Sequence, residues 1–315
     1  MTATWVVGSG GLVGSAICRA LRNAGQESYA PEHRFSWREA ALVDREVSIG
    51  TANFARQVVS AGSWEIFWAA GVGTMGSTEG SLASETGILG VLLRSIESNP
   101  ILMVTPGVFV FCSSAGAIYA GASDFLVGED SFLTPTTAYG REKLKQEQLV
   151  RTFAQSASAL RRVIVRLSTV YGPGQSHGKQ QGLLANIARR MIANQPIQIY
   201  VPFDTVRDYI TADDAARGMM LLARLNDGAK EKTRILASEQ PVTIAEIIST
   251  FKRVAGRSPR VVTSANPLGI AYPRRVCFRS TATTPLEVFP RTSLLLGVSQ
   301  LIAAERIALM QWGRR

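Results

Sequence analysis

The sequence predicts an α/β protein: a doubly wound parallel sheet with a smaller C-terminal lobe interwoven with it. Three observations carry this. Strand-like and helix-like segments alternate through the first half of the chain. The strand segments are apolar throughout, as strands covered on both faces must be. A glycine-rich stretch, "WVVGSGGLVGSAI" at 5–17, joins the first strand to the first helix.

Taken in order, 5–8 reads as a short buried strand and 12–24 as a helix stopped by Gly25. A weak strand follows near 27–31, then a helix over "TANFARQVVSAG", 51–62. "WEIFWAAG", 64–71, is a buried strand ending in the small residues Ala69, Ala70 and Gly71. "SETGILGVLLRSIES", 84–98, has helical spacing, and "GVFVFCSSAGAIYA", 107–120, reads as a strong strand. A long helix over 136–157 and a strand over 161–174 complete the first half. Beyond about 172 the pattern loosens, with helices expected over 182–196, 212–225 and 243–256. The expected division is a dinucleotide-binding unit over 1–171 and a mainly substrate-binding lobe over 172–315, some of whose segments return to the sheet. There is no internal repeat, low-complexity tract or long linker.

The chain has 315 residues, 46% hydrophobic and 18% charged, enough for a full core. Its net charge is +10. The basic residues are scattered, without a stripe interleaved with aromatics, so nucleic acid is not the expected partner and an anionic small ligand is. No apolar run reaches the roughly 20 residues that a membrane span needs, and the first residues lack the charged-then-apolar layout of a signal peptide. Cys18, Cys112 and Cys277 are far apart and show no metal spacing. A cytoplasmic protein without a metal site or a membrane partner is the expectation.

The glycines at 8–14 suit a phosphate. A strand, a tight turn and a helix present backbone N–H groups and the positive helix end to a pyrophosphate. Gly8 permits the turn, Gly11 lets the backbone approach the ligand, and Gly14 lets helix pack on strand. Ser9, Leu12 and Val13 lie in the same turn, and Ala69, Ala70 and Gly71 end the next apolar strand. Ligands of such sheets bind at the carboxyl ends of the strands. Ser113, Ser114, Tyr119, Thr169 and Tyr171 fall there.

"YGREK" puts Tyr139 and Lys143 four apart at a helix start, on one face. A phenol, pKa about 10, is a poor base at neutral pH. A fixed ammonium nearby is expected to lower that value. The pair can then move a proton on or off a hydroxyl while a nicotinamide exchanges the hydride.

These motifs in order identify the chain as resembling the extended short-chain dehydrogenase/reductases, in their NAD-dependent nucleotide-sugar epimerase/dehydratase branch. GSGGLVG at 8–14 resembles the family's Gly-x-x-Gly-x-x-Gly, and FCSSAGAIYA at 111–120 its serine-rich active-site strand. YGREK at 139–143 is its Tyr-x-x-x-Lys, and RLSTVYGPGQ at 166–175 resembles its Arg-x-x-Asn-x-Tyr-Gly-Pro strand. VRDYITADDAARG at 206–218 resembles the segment that carries an arginine for the substrate's phosphates.

The resemblance implies a Rossmann fold, Tyr139 as acid/base, and Lys143 holding the nicotinamide ribose while lowering the tyrosine pKa. It also implies a hydroxyl on the reacting group, from Ser114 or, failing that, Ser113, because the usual position is Ala115. The family asparagines are Thr169 and Gly87 here, and the Asp–Glu pair of the dehydratases is Gly116–Ala117, which argues against dehydration. Arg207 matches the phosphate-binding arginine, and Arg275 or its neighbour Arg274 falls near a second one. With Thr169 these are the candidate substrate residues.

Cofactor choice rests on "APEHR". Glu32 stands where an acid would bind the ribose of NAD, and Arg34 where an arginine would favour NADP. NAD is preferred and NADP left open. Three functions follow: a nucleotide-sugar epimerase working by transient oxidation at C4; an NADP-dependent reductase of a keto sugar; or a non-catalytic dinucleotide-binding protein. The resemblance also suggests a homodimer through the helices near 85–97 and 139–154.

Overall fold

A computed structural model describes residues 1–32, 35–37, 39–71, 73–175, 182–264, 274–282 and 291–312. Arg34, a candidate cofactor residue, and its neighbour Arg38 lie outside them.

The first half runs β1 (Ala3–Val7), α1 (Leu12–Asn23), β2 (Ser28–Tyr29), α2 (Ala40–Ala61), β3 (Trp64–Trp68), α3 (Glu79–Glu97), α4 (Pro100–Val104) and β4 (Gly107–Ser114). Then come α5 (Ala115–Ile118), β5 (Leu126–Val127), α6 (Ala138–Thr152), β6 (Leu160–Leu167) and β7 (Thr169–Tyr171). The second half runs α7 (Leu183–Ile192), β8 (Ile197–Ile199), β9 (Val206–Arg207), β10 (Tyr209–Thr211), α8 (Ala212–Arg224) and β11 (Glu231–Leu236). It ends with β12 (Val242–Thr243), α9 (Ile244–Ala255), β13 (Val261–Thr263), β14 (Cys277–Phe278) and α10 (Leu294–Trp312).

Six parallel strands form the main sheet in the order β2-β1-β3-β4-β6-β11. Both faces are covered, so β3 is buried at every residue. Trp5, Val7, Trp64, Ile66, Trp68, Phe109 and Phe111 pack against α2 and α3 on one face. Val6, Phe67, Val108 and Val110 face α1 and α8 on the other. Successive strand residues point to opposite faces, so two cores need unbroken apolar strands. β11 enters this sheet from the second half of the chain, beside β6. The remaining strands pair two by two: β7 with β10, β9 with β12, β8 with β13 and β5 with β14.

Several element boundaries differ from expectation. α2 begins at Ala40 rather than 51, because Val43, Val47, Phe54 and Val58 form one buried stripe. Gly50 sits inside it, where a side chain would press on the Trp5 ring at 3.4 Å. The strand read over 107–120 stops at Ser114 and turns into α5. The strand read over 161–174 divides into β6 and β7, which belong to different sheets.

α10 was not anticipated. It buries Val298, Leu301 and Ile302 in the core shared with α7 and α9, and Glu305 pairs with Arg189 at 3.1 Å. By length and composition alone it is long and apolar enough to cross a membrane, although Glu305 and Arg306 interrupt the apolar run and its buried face packs on α7 and α9.

Candidate active site

The glycine turn is held by close backbone contacts. Gly8, at φ +90°, follows β1, and a Cβ there would stand 2.5 Å from the Ala70 nitrogen. Gly11 N–H donates to the Gly8 carbonyl at 2.9 Å, and a Cβ at Gly14 would meet that carbonyl oxygen at 2.1 Å. α1 starts at Gly11 with no side-chain cap and no acidic residue in its first turn. The N–H groups of Leu12, Val13 and Gly14 have no intrahelical acceptor, the first such bond running from Ser15 to the Gly11 carbonyl, and Ser9 beside them is exposed. Sheet order reverses between β1 and β3, so Gly8 and Ala69–Gly71 flank the crevice where such sheets take ligands. A bare backbone cradle at a positive helix end fits a dinucleotide pyrophosphate. Glu32 is exposed just past β2.

Tyr139 lies in the first turn of α6, which Thr137 caps by accepting the Gly140 N–H at 3.2 Å. Gly140 lets α6 sit on α5, since a Cβ there would be 2.4 Å from the Ala117 carbonyl oxygen. Lys143, one turn on, is buried. Its Nζ is 5.7 Å from the Tyr139 ring centroid and 5.3 Å from that of Phe111. It donates to Glu85 Oε1 at 3.1 Å and to Gln146 Oε1 at 2.8 Å.

The expected low phenol pKa is corrected here. Burial pushes Tyr139 up, the Lys143 ammonium and a hydrogen bond with Ser114 pull it down, and Glu85 pushes it up again. Burial prevails, and the phenol lies above the ordinary tyrosine value.

The two serines separate cleanly, because neighbouring residues of β4 face opposite sides. Ser114 is half-buried and reaches Tyr139. Ser113 is buried and donates to Glu147 Oε1 at 2.7 Å. Glu147 also grips Arg166 through two hydrogen bonds, at 2.9 and 2.7 Å, and Arg166 donates to the Tyr119 hydroxyl. Ser113 and Tyr119 therefore belong to a buried structural network, and Ser113 is corrected from a candidate catalytic hydroxyl to a core one. Ser114→Ala is expected to cut turnover without loss of stability. Ser113→Ala should instead cost about 1.5–3 kcal/mol of stability, the range for a hydrogen bond to a charged group. Paired kinetic and thermal-unfolding measurements distinguish them.

The two candidate substrate arginines come together across two short segments. Val206 and Arg275 form a β-bridge, and Arg207 donates to the carbonyls of Val206 at 2.7 Å and Arg274 at 3.4 Å. The Arg275 guanidinium lies 5.4 Å from the centroid of the Phe125 ring. The acids near Arg207 in sequence have other partners: Asp208 holds Ser238, Asp213 pairs with Arg19, and Asp214 pairs with Arg217. Arg274 pairs with Asp204. Thr169 is exposed at the start of β7. β14 beside β5 links this region to the end of α5, with the Phe278 ring centroid 6.3 Å from that of Tyr119.

Two site residues escaped the sequence reading. Gly73 is closely packed, since a Cβ there would stand 2.6 Å from Leu82 Cδ2 and 3.2 Å from the Tyr139 ring. Glu85 supplies the buried counter-charge of Lys143. Gly87, at the family asparagine position, is exposed with open space beside it. Only an acid at the right turn of 84–98 could have signalled Glu85, and sequence spacing does not say which helix α3 faces. Among the described residues no cluster suited to a metal occurs.

A profile of the NAD dependent epimerase/dehydratase family matches residues 4–236. The chain belongs to that family. Over 163 residues, half of each chain, it is 29% identical to the dTDP-4-dehydro-6-deoxyglucose reductase of Escherichia coli. It is 28% identical to the UDP-glucose 4-epimerase of Azospirillum brasilense over 161 residues, 47% of this chain and 46% of that one. The chain thus spans about half the length of these curated relatives. The Thermotoga maritima UDP-glucose 4-epimerase, solved with UDP-glucose, superposes with TM-score 0.78 at 21% identity, covering 98% of this chain and 100% of that one. A Bacillus cereus UDP-glucuronic acid 4-epimerase, solved with UDP-glucuronic acid and NAD, gives 0.75 at 19%, with 98% and 100% covered. At these identities the likeness is one of fold, and it spans both halves of the family member described here.

Proposed function

We propose that the protein is a nucleotide-sugar epimerase of the extended short-chain dehydrogenase/reductase type, with NAD as its preferred cofactor. The carrying observation is the Tyr139–Lys143 pair with Ser114, on a family fold whose glycine turn is open to a pyrophosphate. Gly8, Gly11, Gly14 and Ala69–Gly71 would hold NAD, with Glu32 on its ribose. NAD, when bound there, would supply reversible hydride exchange with the substrate carbon. Tyr139 takes the proton of the C4 hydroxyl and later returns it. Ser114 orients that hydroxyl, and Lys143 stabilises the phenolate. Arg207 and Arg275, in the 172–315 lobe, would grip the substrate's diphosphate with paired hydrogen bonds. The UDP-glucose and UDP-glucuronic acid with which those two epimerases were solved support this reading.

The test is a panel of UDP-, dTDP- and GDP-sugars assayed with NAD and NADP, with products separated by chromatography. Conversion of one sugar to its C4 epimer without net cofactor turnover is expected. The Escherichia coli relative favours a second reading, reduction of a 4-keto sugar. Stoichiometric NADPH consumption, with no epimer formed, would establish it in place of the first.

The family resemblance also proposes a homodimer through α3 and α6, which pack on each other in one chain. Light scattering should give twice the chain mass; a monomer mass at micromolar concentration would refute it.

A further inference from the structure

Glu85 lies on α3 where it meets α6, and it is only 7% exposed. Its Oε1 accepts from Lys143 Nζ at 3.1 Å and from Gln146 Nε2 at 3.3 Å. Its Oε2 accepts the Gly73 N–H at 3.2 Å. A Cβ at Gly71 would stand 2.8 Å from Oε1, so the turn after β3 closes against this carboxylate. The carboxylate is therefore built into the site on three sides: by α6, by its own helix and by the loop that packs on Tyr139.

A carboxylate touching an ammonium cancels much of the charge that a third group feels. That third group is Tyr139, whose ring lies 5.7 Å from Lys143 Nζ. The groups acting on the phenol are Lys143 from α6, Glu85 from α3, and Ser114 and Cys112 from β4. Only Lys143 and Glu85 are charged at neutral pH.

We infer that Glu85 is a positioning residue of the Tyr139–Lys143 pair, fixing the ammonium and setting how strongly it stabilises the phenolate. The inference rests on the proposed acid/base role of Tyr139. It has a chemical consequence. Glu85 keeps Tyr139 protonated to higher pH than Lys143 alone would allow, which biases the pair towards giving a proton rather than taking one.

The test is an ultraviolet difference titration of the phenolate band in the presence of NAD. Wild type and Glu85→Gln are each compared with the same protein carrying Tyr139→Phe. Glutamine keeps the hydrogen-bonding shape and loses the charge, so the Tyr139 midpoint should move to lower pH by about one unit. Glu85→Asp, which keeps the charge, should stay close to wild type. A Glu85→Gln midpoint equal to or above wild type overturns the inference.

No substrate is needed. A protein that turns over no sugar but shows the shift would count against the proposed function and not against Glu85. Should Glu85→Gln fail to fold, nitrogen NMR of labelled lysines in wild type, assigned with Lys143→Met, reads the same pairing. Burial alone would lower the Lys143 pKa, but Tyr139 and Glu85 hold it above its ordinary value. Its ammonium signal should therefore persist past about pH 10.4, the free-lysine value. A signal that titrates below that overturns the inference.

Discussion

Tyr139→Phe is expected to lower sugar turnover by about 10²- to 10⁴-fold, the usual contribution of a positioned proton-transfer group. The substitution removes one oxygen and leaves the ring that packs beside Gly73, so stability and NAD affinity should hold. Wild-type turnover should rise with pH, because the oxidising step needs the phenolate. In the cofactor-free protein the phenol lies above its ordinary value, since burial outweighs the pull of Lys143. The positive nicotinamide of NAD acts in the same sense as Lys143, so the rising limb of turnover should lie below the cofactor-free midpoint. Lys143→Met should lose turnover and NAD affinity together. It should also cost about 3–5 kcal/mol of stability by leaving the buried Glu85 carboxylate without its counter-charge. Turnover of the sugar panel by wild type and both variants, beside thermal unfolding, checks this. An equally active Tyr139→Phe would sink the mechanism.

Gly11→Asp is expected to weaken dinucleotide binding by about 100-fold or more, or about 2.7 kcal/mol. The nearest atom to a Cβ at Gly11 is the Gly8 carbonyl oxygen at 3.3 Å, a tight fit but not a clash. Gly11→Ala should therefore fold and bind with modest loss. Aspartate adds a negative charge where the first turn of α1 offers its N–H groups to a pyrophosphate, and like charges so placed cost several kcal/mol. Gly8 and Gly14 should behave differently. There even a methyl group meets backbone at 2.5 and 2.1 Å, so Gly14→Ala should displace α1 and lower stability as well as binding. Calorimetry with NAD, beside unfolding curves, separates charge from shape. Undiminished binding by Gly11→Asp would remove the glycine turn from the account.

Local signals made much of the molecule legible. Strands buried on both faces must be apolar at every position, so β1, β3, β4 and β6 stood out. The turn at 8–14 was legible because only glycine tolerates backbone packed so closely on backbone. Tyr139 and Lys143 were legible because a helix fixes what faces what one turn away. Where a segment's fate depended on distant partners, the reading slipped. The residues after Ser114 are apolar enough to prolong a strand, yet they coil into α5 against α6. α10 carries apolar residues on more than one side, and only the groove between α7 and α9 selects the face it buries.

The sequence by itself determined the apolar strands, the tight glycine turn and the one-turn spacing of Tyr139 and Lys143, because each follows from residues within a few positions of one another. The tertiary structure decided the rest. Adjacent serines looked equivalent until packing sent Ser113 to Glu147 and left Ser114 beside Tyr139. Arg207 and Arg275, 68 positions apart in sequence, are brought near each other only by the isolated bridge between Val206 and Arg275. Lys143 acquired its counter-charge from Glu85, 58 positions earlier, because α3 packs on α6. The physical reason is common to all three. The acidity and reach of a side chain depend on what surrounds it in space, and chain order fixes those surroundings only within a helical turn or along a strand.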